Sequence, residues 1–477
     1  MDTSRIKRES REQSSTPLKQ RNYQEVVAYL NEHWKTGDVN KTLERMTLLD
    51  CEFGSISKKR DAIIICGTNG KSLTAHFATK LLQSEGLAVG AFIAPHILTY
   101  NERITLNQAY IPNKSFTDFG NSVIDAVDRL GLSCNSSEIL TMMSLLFFEE
   151  QKADVAVLES HEGGAHNPVN ICNAKVVAIT RVTPDKVGVT AEELKASLVE
   201  MVGVVKSGTH VVSGDQIKAH LQMMEDITVA QGGQWAMPIR KLSPLVYPFE
   251  QLHGRCAALA ERIASLYMNS SVASDATIVN DSLLIKQKGQ RGRPTLEAKR
   301  LARLNPKKTI DQFWKENINT LPSKFQLFDK EKPSVLLDSA DNLDALENLL
   351  LGIRLFHYQR PIKGLTVIIG ASKNTLHSEE FLKALRYFFK KTAGQAFVCP
   401  VDNSVTPGNG EDATWSVEHV VSDIKSKKMK ATAFVSFAQA FEAAKATVDE
   451  RHGLVVVTGS NAVIHEYWKY RGIKKLG

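Results

Sequence analysis

The chain has 477 residues, 43% of them hydrophobic and 23% charged, which is the composition of a soluble globular protein long enough for two or more domains. It contains no apolar run of about eighteen residues, so no membrane-spanning helix is predicted. The formal net charge of +7 is unevenly distributed. The basic residues are concentrated in one segment, which could bind an anionic partner.

The amino-terminal residues 1–22 are polar and charged and lack an apolar core. They predict a disordered tail and not a secretory signal. An amphipathic helix follows from about Tyr23 to Trp34.

The stretch from Asp61 to Ser72 is the most informative part of the sequence. Residues 63–66 form an uncharged run rich in β-branched side chains, as in a buried parallel strand. Gly67 and Gly70 permit a turn whose N–H groups point at one oxyanion, and a lysine follows at position 71. Together with the helical pattern that starts next, this predicts a phosphate-binding loop. The alternative is an ordinary strand-to-helix turn with an incidental lysine.

The helix after this loop supplies a candidate metal ligand. Ser72 or Thr74 offers a hydroxyl to a magnesium ion. The match to the common G-x-x-x-x-G-K-[ST] pattern is partial, because its first glycine falls on Ile65.

Strands and helices then alternate. Strands are predicted at residues 88–97, 153–160, 174–182 and 209–214, and helices at residues 137–151 and 190–205. This alternation predicts an α/β fold, with a P-loop-type, doubly wound, mostly parallel sheet. Ligands of such sheets lie at the carboxyl ends of the strands. The glycine turn, residues 94–96, Glu159 and residues 185–186 all fall at such ends.

A basic segment separates this series from a second one. Residues 286–308 contain nine basic residues and one acid, Glu297. A solvated linker is the plain interpretation, and the RGRP sequence at 291–294 leaves open an arm that lies in a DNA minor groove. We place a basic linker at 286–320 within an ATP-binding domain of residues 23–320. A smaller Rossmann-like α/β domain is predicted over residues 321–477.

The cysteines are scattered and include no C-x-x-C pair. This argues against a zinc site or a disulfide framework, and for reduced thiols in the cytoplasm. They are Cys51, Cys66, Cys134, Cys172, Cys256 and Cys399.

Several motifs occur in a specific order along nearly the whole chain. They are GTNGK (67–71), APHILTYNERI (94–104), VLESHEGGAHNPVNI (157–171), ITRVTPDK (179–186), LPSKFQLF (321–328), VLLDSADN (335–342) and VVVTGSN (455–461). This series resembles the Mur ligase superfamily, and within it the folylpolyglutamate synthase and dihydrofolate synthase branch. The order of the motifs is far more specific than any one of them.

The resemblance implies an ATP-dependent amide ligase that adds L-glutamate to the glutamyl carboxylate of a folate through an acyl phosphate. ATP and Mg²⁺ are the implied cofactors, and folate, L-glutamate and ATP the implied substrates. We expect a cytoplasmic monomer with neither a membrane nor a nucleic acid as partner.

The resemblance also assigns residues. It implies a catalytic role for Lys71, Lys186 and Lys324, and metal binding by Glu159 and Thr74. The residues that the resemblance implies for nucleotide binding are Gly67, Thr68, Asn69, Gly70, Lys71, Ser72, Lys324, Asp338 and Asn342. The HEGGAH sequence at 161–166 matches a family turn beside the ATP site, which is favoured over metal binding there.

The chain departs from the family where the chemistry is expected. Ala94 replaces a serine, Lys186 a histidine and Met201 the lysine that is carbamylated in the family. Gly254 replaces an asparagine and Lys324 an arginine. Two interpretations stay open: a divergent ligase with one metal ion, and a nucleotide-binding relative that has lost catalysis. The ligase is favoured because Lys71, Glu159, Asp338 and Asn342 are retained.

Overall fold

The computed structural model describes residues 20–34, 37–185, 188–272, 309–316, 321–370, 379–401 and 416–476. The predicted tail up to residue 19, Lys186 and the basic segment 286–308 lie outside the described residues. No helix in the described ranges is long and apolar enough to cross a membrane.

The amino-terminal part of the chain is built on an eight-stranded sheet in the order β4-β3-β2-β5-β1-β6-β7-β8. Strands β2 to β4 form an antiparallel edge, and all other neighbours are parallel. The strands are β1 (Asp61–Cys66), β2 (Val89–Phe92), β3 (Ile104–Leu106), β4 (Ala109–Tyr110), β5 (Val155–Glu159), β6 (Ala174–Ile179), β7 (His210–Ser213) and β8 (Gln234–Trp235).

Alternation of side chains along β1 explains its central place. Ile64 belongs to the core on one face of the sheet, whereas Ile63 and Ile65 belong to the core on the other face. All three side chains are fully buried. A strand covered on both faces needs this continuous apolar run, because a charged residue on either face would be desolvated.

Helices cover both faces of this sheet. They are α1 (Tyr23–Glu32), α2 (Thr42–Glu52), α3 (Lys71–Ser84), α4 (Asn113–Leu130), α5 (Ser136–Glu150), α6 (Ala191–Val202), α7 (Lys218–Ala230), α8 (Phe249–Tyr267) and α9 (Ile310–Glu316). Short 3₁₀ turns occur at Val39–Lys41, Ile56–Lys58, Tyr100–Arg103 and Pro168–Ile171, and a π-helical turn follows α8 at Met268–Val272.

A second, six-stranded sheet has the order β13-β12-β11-β14-β10-β9, with only β9 antiparallel to its neighbour among the described strands. Its strands are β9 (Gln326–Phe328), β10 (Ser334–Asp338), β11 (Leu365–Ile369), β12 (Gln395–Val398), β13 (Ala431–Ala433) and β14 (Leu454–Thr458). Its helices are α10 (Leu343–Gln359), α11 (Glu379–Thr392), α12 (Val417–Ser426), α13 (Phe437–Thr447) and α14 (Asn461–Tyr470).

Helix α8 connects the two sheets. Its residue Leu252 belongs to the core of the second sheet, together with Phe325 and Leu346. A Cβ added at Gly352 of α10 would lie 2.3 Å from the Phe325 ring, so this helix approaches closely only because glycine is present. Leu252 of α8 and Gly352 of α10 are therefore in close contact.

The predicted fold class is confirmed: two mostly parallel α/β layers follow one another along the chain. The predicted strands at 153–160 and 174–182 are slightly longer than β5 and β6, and the strand at 88–97 ends at Phe92. The β3–β4 hairpin and helix α4 have no counterpart among the predicted elements. The two- and three-residue strands of that hairpin are too short to show a period.

Candidate active site

The predicted phosphate-binding loop joins β1 to α3. Gly67 and Gly70 have φ angles of 134° and 88°, which side chains rarely tolerate. A Cβ at Gly67 would lie 2.0 Å from the Thr180 hydroxyl, so glycine is required there. Lys71 begins α3, and its Nζ donates to the Gly67 carbonyl at 2.7 Å. The ammonium group is thus held over the turn, where helix dipole and backbone N–H groups favour an anion.

The segment after β6 supports this loop. The Thr68 N–H donates to the Arg181 carbonyl at 2.7 Å, and the Thr68 hydroxyl donates to the Thr183 carbonyl at 2.9 Å. The Thr183 N–H donates back to the same hydroxyl at 3.2 Å. Thr68 therefore connects the loop to the carboxyl end of the neighbouring strand.

Glu159 lies beside the loop because β5 pairs with β1, with Ile65 opposite Glu159. The residue is 2% exposed, and its Oε2 accepts from the Ala94 N–H at 3.3 Å. Burial raises the pKa of the Glu159 carboxyl, and the Lys71 ammonium and the Ser72 hydroxyl lower that pKa in part. A buried carboxylate between an ammonium and a hydroxyl is a suitable ligand for a hard divalent cation.

The hydroxyl beside Glu159 belongs to Ser72 and not to Thr74, the hydroxyl residue predicted as the metal ligand. Ser72 Oγ also donates to the Ala94 carbonyl at 3.3 Å. Thr74 is fully buried, and its hydroxyl lies against the thiol of Cys256 on α8. Two residues along a helix turn the side chain by roughly 200°, so only one of the two can face β5.

The second sheet contributes a cluster at the carboxyl end of β10. Lys324 Nζ donates to Ser339 Oγ at 2.9 Å, and the Phe325 N–H donates to Asp338 Oδ2 at 2.8 Å. Burial raises the pKa of Asp338 to about 6, although the Lys324 ammonium opposes this shift. The pKa of Asp341 is raised for the same reason. Lys324 therefore lies near two carboxyl groups, and its ammonium lowers the pKa of each against the effect of burial.

Ionisation of Asp338 is expected to reduce folding stability. Its pKa is about 6 in the folded protein against 3.8 ordinarily, so its contribution is complete below pH 4 and is lost as the pH rises through 6. Asp338→Asn removes this titration. The free energy of unfolding of the variant, relative to the wild type, should rise by about 2 kcal/mol between pH 4 and pH 8, since the side chain keeps partial contact with solvent. Urea unfolding across this range measures it.

The matched control is Asp329→Asn, an exposed aspartate beside the same sheet. Its unfolding free energy should follow the wild type at every pH. If the free energies of unfolding of Asp338→Asn and of the wild type changed in parallel with pH, the raised pKa of Asp338 would be contradicted.

The two sheets meet directly at Asn69. Its Nδ2 donates to Asn342 Oδ1 at 3.0 Å and to Asp344 Oδ2 at 2.8 Å, and Asn342 Nδ2 donates back to Asn69 Oδ1 at 3.0 Å. Arg181 forms an ion pair with Asp344 at 2.8 Å. Asn342 also begins α10 as its N-cap. The phosphate loop and the β10–α10 turn, which are about 270 residues apart, therefore form one site.

Two departures from the family motifs have a packing explanation. Met201 is 8% exposed and belongs to the core of the first sheet, so the position of the carbamylated lysine is filled by an apolar side chain. A Cβ at Gly254 would lie 3.1 Å from Leu242 Cβ and from the Ser243 carbonyl. An asparagine there would require its neighbours to move.

The HEGGAH loop is held in place by Glu200. Glu200 Oε1 accepts from the His166 N–H at 2.8 Å, and its Oε2 bonds His166 Nδ1 at 2.9 Å. A Cβ at Gly164 would lie 2.6 Å from the Glu200 carbonyl. Burial, with Lys71 and Arg103 nearby, lowers the pKa of His161 to about 3. Within the described ranges, no group of three or more His, Cys, Asp or Glu residues could hold a metal.

The predicted site residues thus divide into three groups. The phosphate loop, Glu159, Lys324, Asp338 and Asn342 lie around one cleft. Thr74 faces away from it, and Lys186 lies outside the described residues, next to the exposed Asp185. Four residues that contact the site were not predicted from the sequence: Arg181, Asp344, Glu200 and Arg103. Only Arg103 lies within a motif that pointed to the site, at the end of residues 94–104.

Together the fold and the cleft define a class: a two-sheet α/β protein whose glycine-rich phosphate loop is faced by a second, Rossmann-like sheet. No family model matches the chain. It is 26% identical over 338 residues to the dihydrofolate synthase/folylpolyglutamate synthase of Bacillus subtilis (strain 168), which covers 69% of this chain and 75% of that protein. It is 29% identical over 241 residues to the folylpolyglutamate synthase of Lacticaseibacillus casei, covering 49% and 55%. The chain thus spans three quarters of the first relative and about half of the second.

Solved structures show the same fold over the whole length. The folylpolyglutamate synthase of Mycobacterium tuberculosis complexed with ADP and AMPPCP has a TM-score of 0.72 at 18% identity, over 94% of this chain and 98% of that one. The bifunctional enzyme of Yersinia pestis complexed with AMPPNP and Mn ion has a TM-score of 0.71 at 20% identity, over 95% and 100%. The chain is thus similar over about two thirds of its length to a dihydrofolate synthase/folylpolyglutamate synthase, which confirms the resemblance that its motifs indicated.

Proposed function

We propose that this protein is an ATP-dependent ligase that joins L-glutamate to the glutamyl carboxylate of a folate. The observation that carries the proposal is the shared cleft: Lys71 and Glu159 on one side, and Lys324, Asp338 and Asn342 on the other. The curated relatives are synthases of this kind, and two structural neighbours were solved with adenine nucleotides or their analogues.

The chemistry proceeds in two transfers. A carboxylate oxygen of the acceptor attacks the terminal phosphorus of ATP, so that the bond to the bridging oxygen breaks and ADP leaves. The amine of L-glutamate then attacks the acyl carbon, the amide bond forms, phosphate leaves and the amine loses a proton. Lys71 and Lys324 supply positive charge at the phosphoryl oxygens, which is where negative charge develops. The second sheet covers the cleft, which limits hydrolysis of the acyl phosphate by water.

The residues present fit one divalent cation. Glu159 and Ser72 would hold it, since both offer hard oxygen atoms at the carboxyl edge of the sheet. The bound ion would neutralise charge on the transferring phosphoryl group and orient it. We propose Mg²⁺, because it binds through few protein ligands and keeps the remaining positions for phosphate oxygens and water. With Met201 in the core, a second ion lacks the lysine-derived ligand of the family.

Replacing Ser72 and Thr74 separately tests this ligand set. Ser72→Ala is expected to raise the Mg²⁺ concentration for half-maximal ligation by roughly tenfold, because one oxygen donor beside Glu159 is lost. Thr74→Val should leave that concentration unchanged, since its hydroxyl faces Cys256. Titration of Mg²⁺ at saturating ATP measures both. A larger effect from Thr74→Val would restore Thr74 as the ligand.

A catalytically silent relative is the second candidate, favoured by the loss of the serine at Ala94 and of the lysine at Met201. The full chain should be incubated with ATP, Mg²⁺, tetrahydrofolate and radiolabelled L-glutamate. Labelled folate product together with folate-dependent ADP release supports the ligase. Binding of ATP without either product supports the silent relative. A parallel reaction with dihydropteroate tests for a second, dihydrofolate synthase activity.

The remaining parts of the proposal concern the cellular location and the oligomeric state. We place the protein in the cytoplasm as a monomer, because the site is formed by two parts of one chain and the cysteines of the described residues are free thiols. Light scattering during ligation measures the oligomeric state.

The nucleic-acid alternative depends on residues 286–308 alone. It would be supported by a salt-dependent gel shift that is lost when Arg291 and Arg293 are replaced.

A further inference from the structure

Arg103 is a buried cation at the edge of the cleft. It ends the 3₁₀ turn Tyr100–Arg103, immediately before β3, and is 3% exposed. Its Nε donates to His96 Nδ1 at 2.9 Å, which assigns the ring proton of a neutral His96 to Nε2. The hydrogen bond fixes the rotation of the guanidinium group about its own stem.

Two aromatic rings hold the guanidinium group in place. Its central carbon lies 5.2 Å from the centroid of the Trp34 ring and 5.3 Å from that of Tyr100. Contacts of this length are cation–π interactions, and they stabilise a desolvated cation without supplying a negative charge. The side chain is therefore positioned by neutral partners.

Within the described part of the chain, Arg103 has no carboxylate partner within 4.0 Å. The nearest acid in sequence, Glu102, accepts instead from the N–H groups of Ile97, Leu98 and Thr99. The two Nη nitrogens of Arg103 have no acceptor among these residues, yet they are not among the side-chain nitrogens that are both sealed and unpartnered. They therefore retain some contact with solvent.

The charge persists at neutral pH and lies near the reacting groups. Burial lowers the pKa of Arg103 to about 10, while Tyr100, Glu159 and Glu102 oppose that shift, so the group remains a cation at pH 7. Lys71 and Arg103 both lower the pKa of His161, so both cations lie near that imidazole. Burying a cation without a negatively charged partner is unfavourable, and the unfavourable energy is relieved when an anion binds.

We propose that Arg103 binds a carboxylate of one of the two organic reactants, through its Nη1 and Nη2 groups. The inference rests on the proposed function and adds a residue to it. A guanidinium group offers two parallel donors that match the two oxygens of a carboxylate, and the contacts with His96 and the two rings orient that fork in advance. The carboxylate can belong to the folate tail or to the incoming L-glutamate, and the kinetics distinguish the two.

The test compares Arg103→Lys and Arg103→Met with the wild-type full chain. Both variants should raise KM for one carboxylate reactant by about 10- to 100-fold, with KM for ATP changed less than twofold. A rise in KM for tetrahydrofolate assigns the folate tail, and a rise for L-glutamate assigns the amino acid. Unchanged KM values for both, or a rise for ATP alone, would overturn the inference.

Arg129→Met is the matched control, because Arg129 is an exposed arginine paired with Glu52 on the surface. It should behave as the wild type. Arg103→Lys keeps a cation of similar length and decides the question if Arg103→Met does not fold, as judged by thermal unfolding.

Calorimetric titration with tetrahydrofolate and with L-glutamate, in the presence of ADP and Mg²⁺, separates this inference from the proposed function. If the wild type binds either compound without turnover and the Arg103 variants lose that binding, the ligase proposal fails and the carboxylate site stands. If the wild type ligates and the variants keep wild-type affinity, the ligase stands and the carboxylate site fails.

Discussion

Replacing Lys71 by alanine is expected to lower kcat/KM for ligation by about 100- to 1,000-fold. Its ammonium group lies over the glycine turn at 2.7 Å from the Gly67 carbonyl, and it is held there by the first turn of α3. A fixed cation of this kind stabilises charge that develops on the phosphoryl group, and water that replaces it must reorganise during the reaction. Steady-state rates of ADP release at saturating folate and L-glutamate measure the loss.

Lys175→Ala is the control for Lys71→Ala. Lys175 lies on β6 of the same sheet, exposed and near the opposite end of the strands, where it is 3.8 Å from Asp61. Its removal should change kcat/KM less than twofold. The affinity for ADP, measured by calorimetry, should fall only for Lys71→Ala. Full activity of that variant would refute the assignment of residues 67–72 to the phosphate groups.

Replacing Glu159 by glutamine is expected to reduce kcat by at least about 100-fold and to weaken the dependence on Mg²⁺. The amide keeps the shape of the side chain and can still accept from the Ala94 N–H. It carries no charge, however, and so attracts a divalent cation poorly. Because burial already disfavours the ionised form of Glu159, the variant should unfold at the same temperature as the wild type or higher. Loss of activity with unchanged or increased stability separates a ligand role from a structural one.

Glu162→Gln provides the comparison for Glu159→Gln, since Glu162 is an exposed carboxylate three residues further along the same loop. It should retain the wild-type rate and the wild-type Mg²⁺ titration. A Glu159→Gln enzyme that keeps both would show that the cation is held elsewhere.

Local chemistry made the centre of the site predictable. An isoleucine run followed by two glycines and a lysine has one common structural solution, a buried strand that turns into a helix. The motif order then identified the family, and the curated relatives confirm it. The carboxylate at the end of β5 was predictable as well, because β5 is a short apolar run that stops at Glu159.

Packing between distant segments was not predictable in the same way. The choice between Ser72 and Thr74 depends on which face of α3 meets β5 and which meets Cys256 of α8. Met201 and Gly254 look like losses of function in the sequence, whereas the fold shows an apolar core position and a close backbone approach.

The amino-acid sequence alone was sufficient for the fold class, the glycine turn between β1 and α3, and the resemblance to the family, because these depend on backbone preferences and on patterns within some twelve residues. The docking of the two sheets was needed to bring Asn69 against Asn342 and Asp344. The folding of residues 94–104 beside α1 was needed to place Arg103 against two aromatic rings, with no carboxylate within 4.0 Å among the described residues. Such contacts join residues with no fixed spacing along the chain. They arise from the shapes of packed surfaces, and sequence periodicity does not encode those shapes.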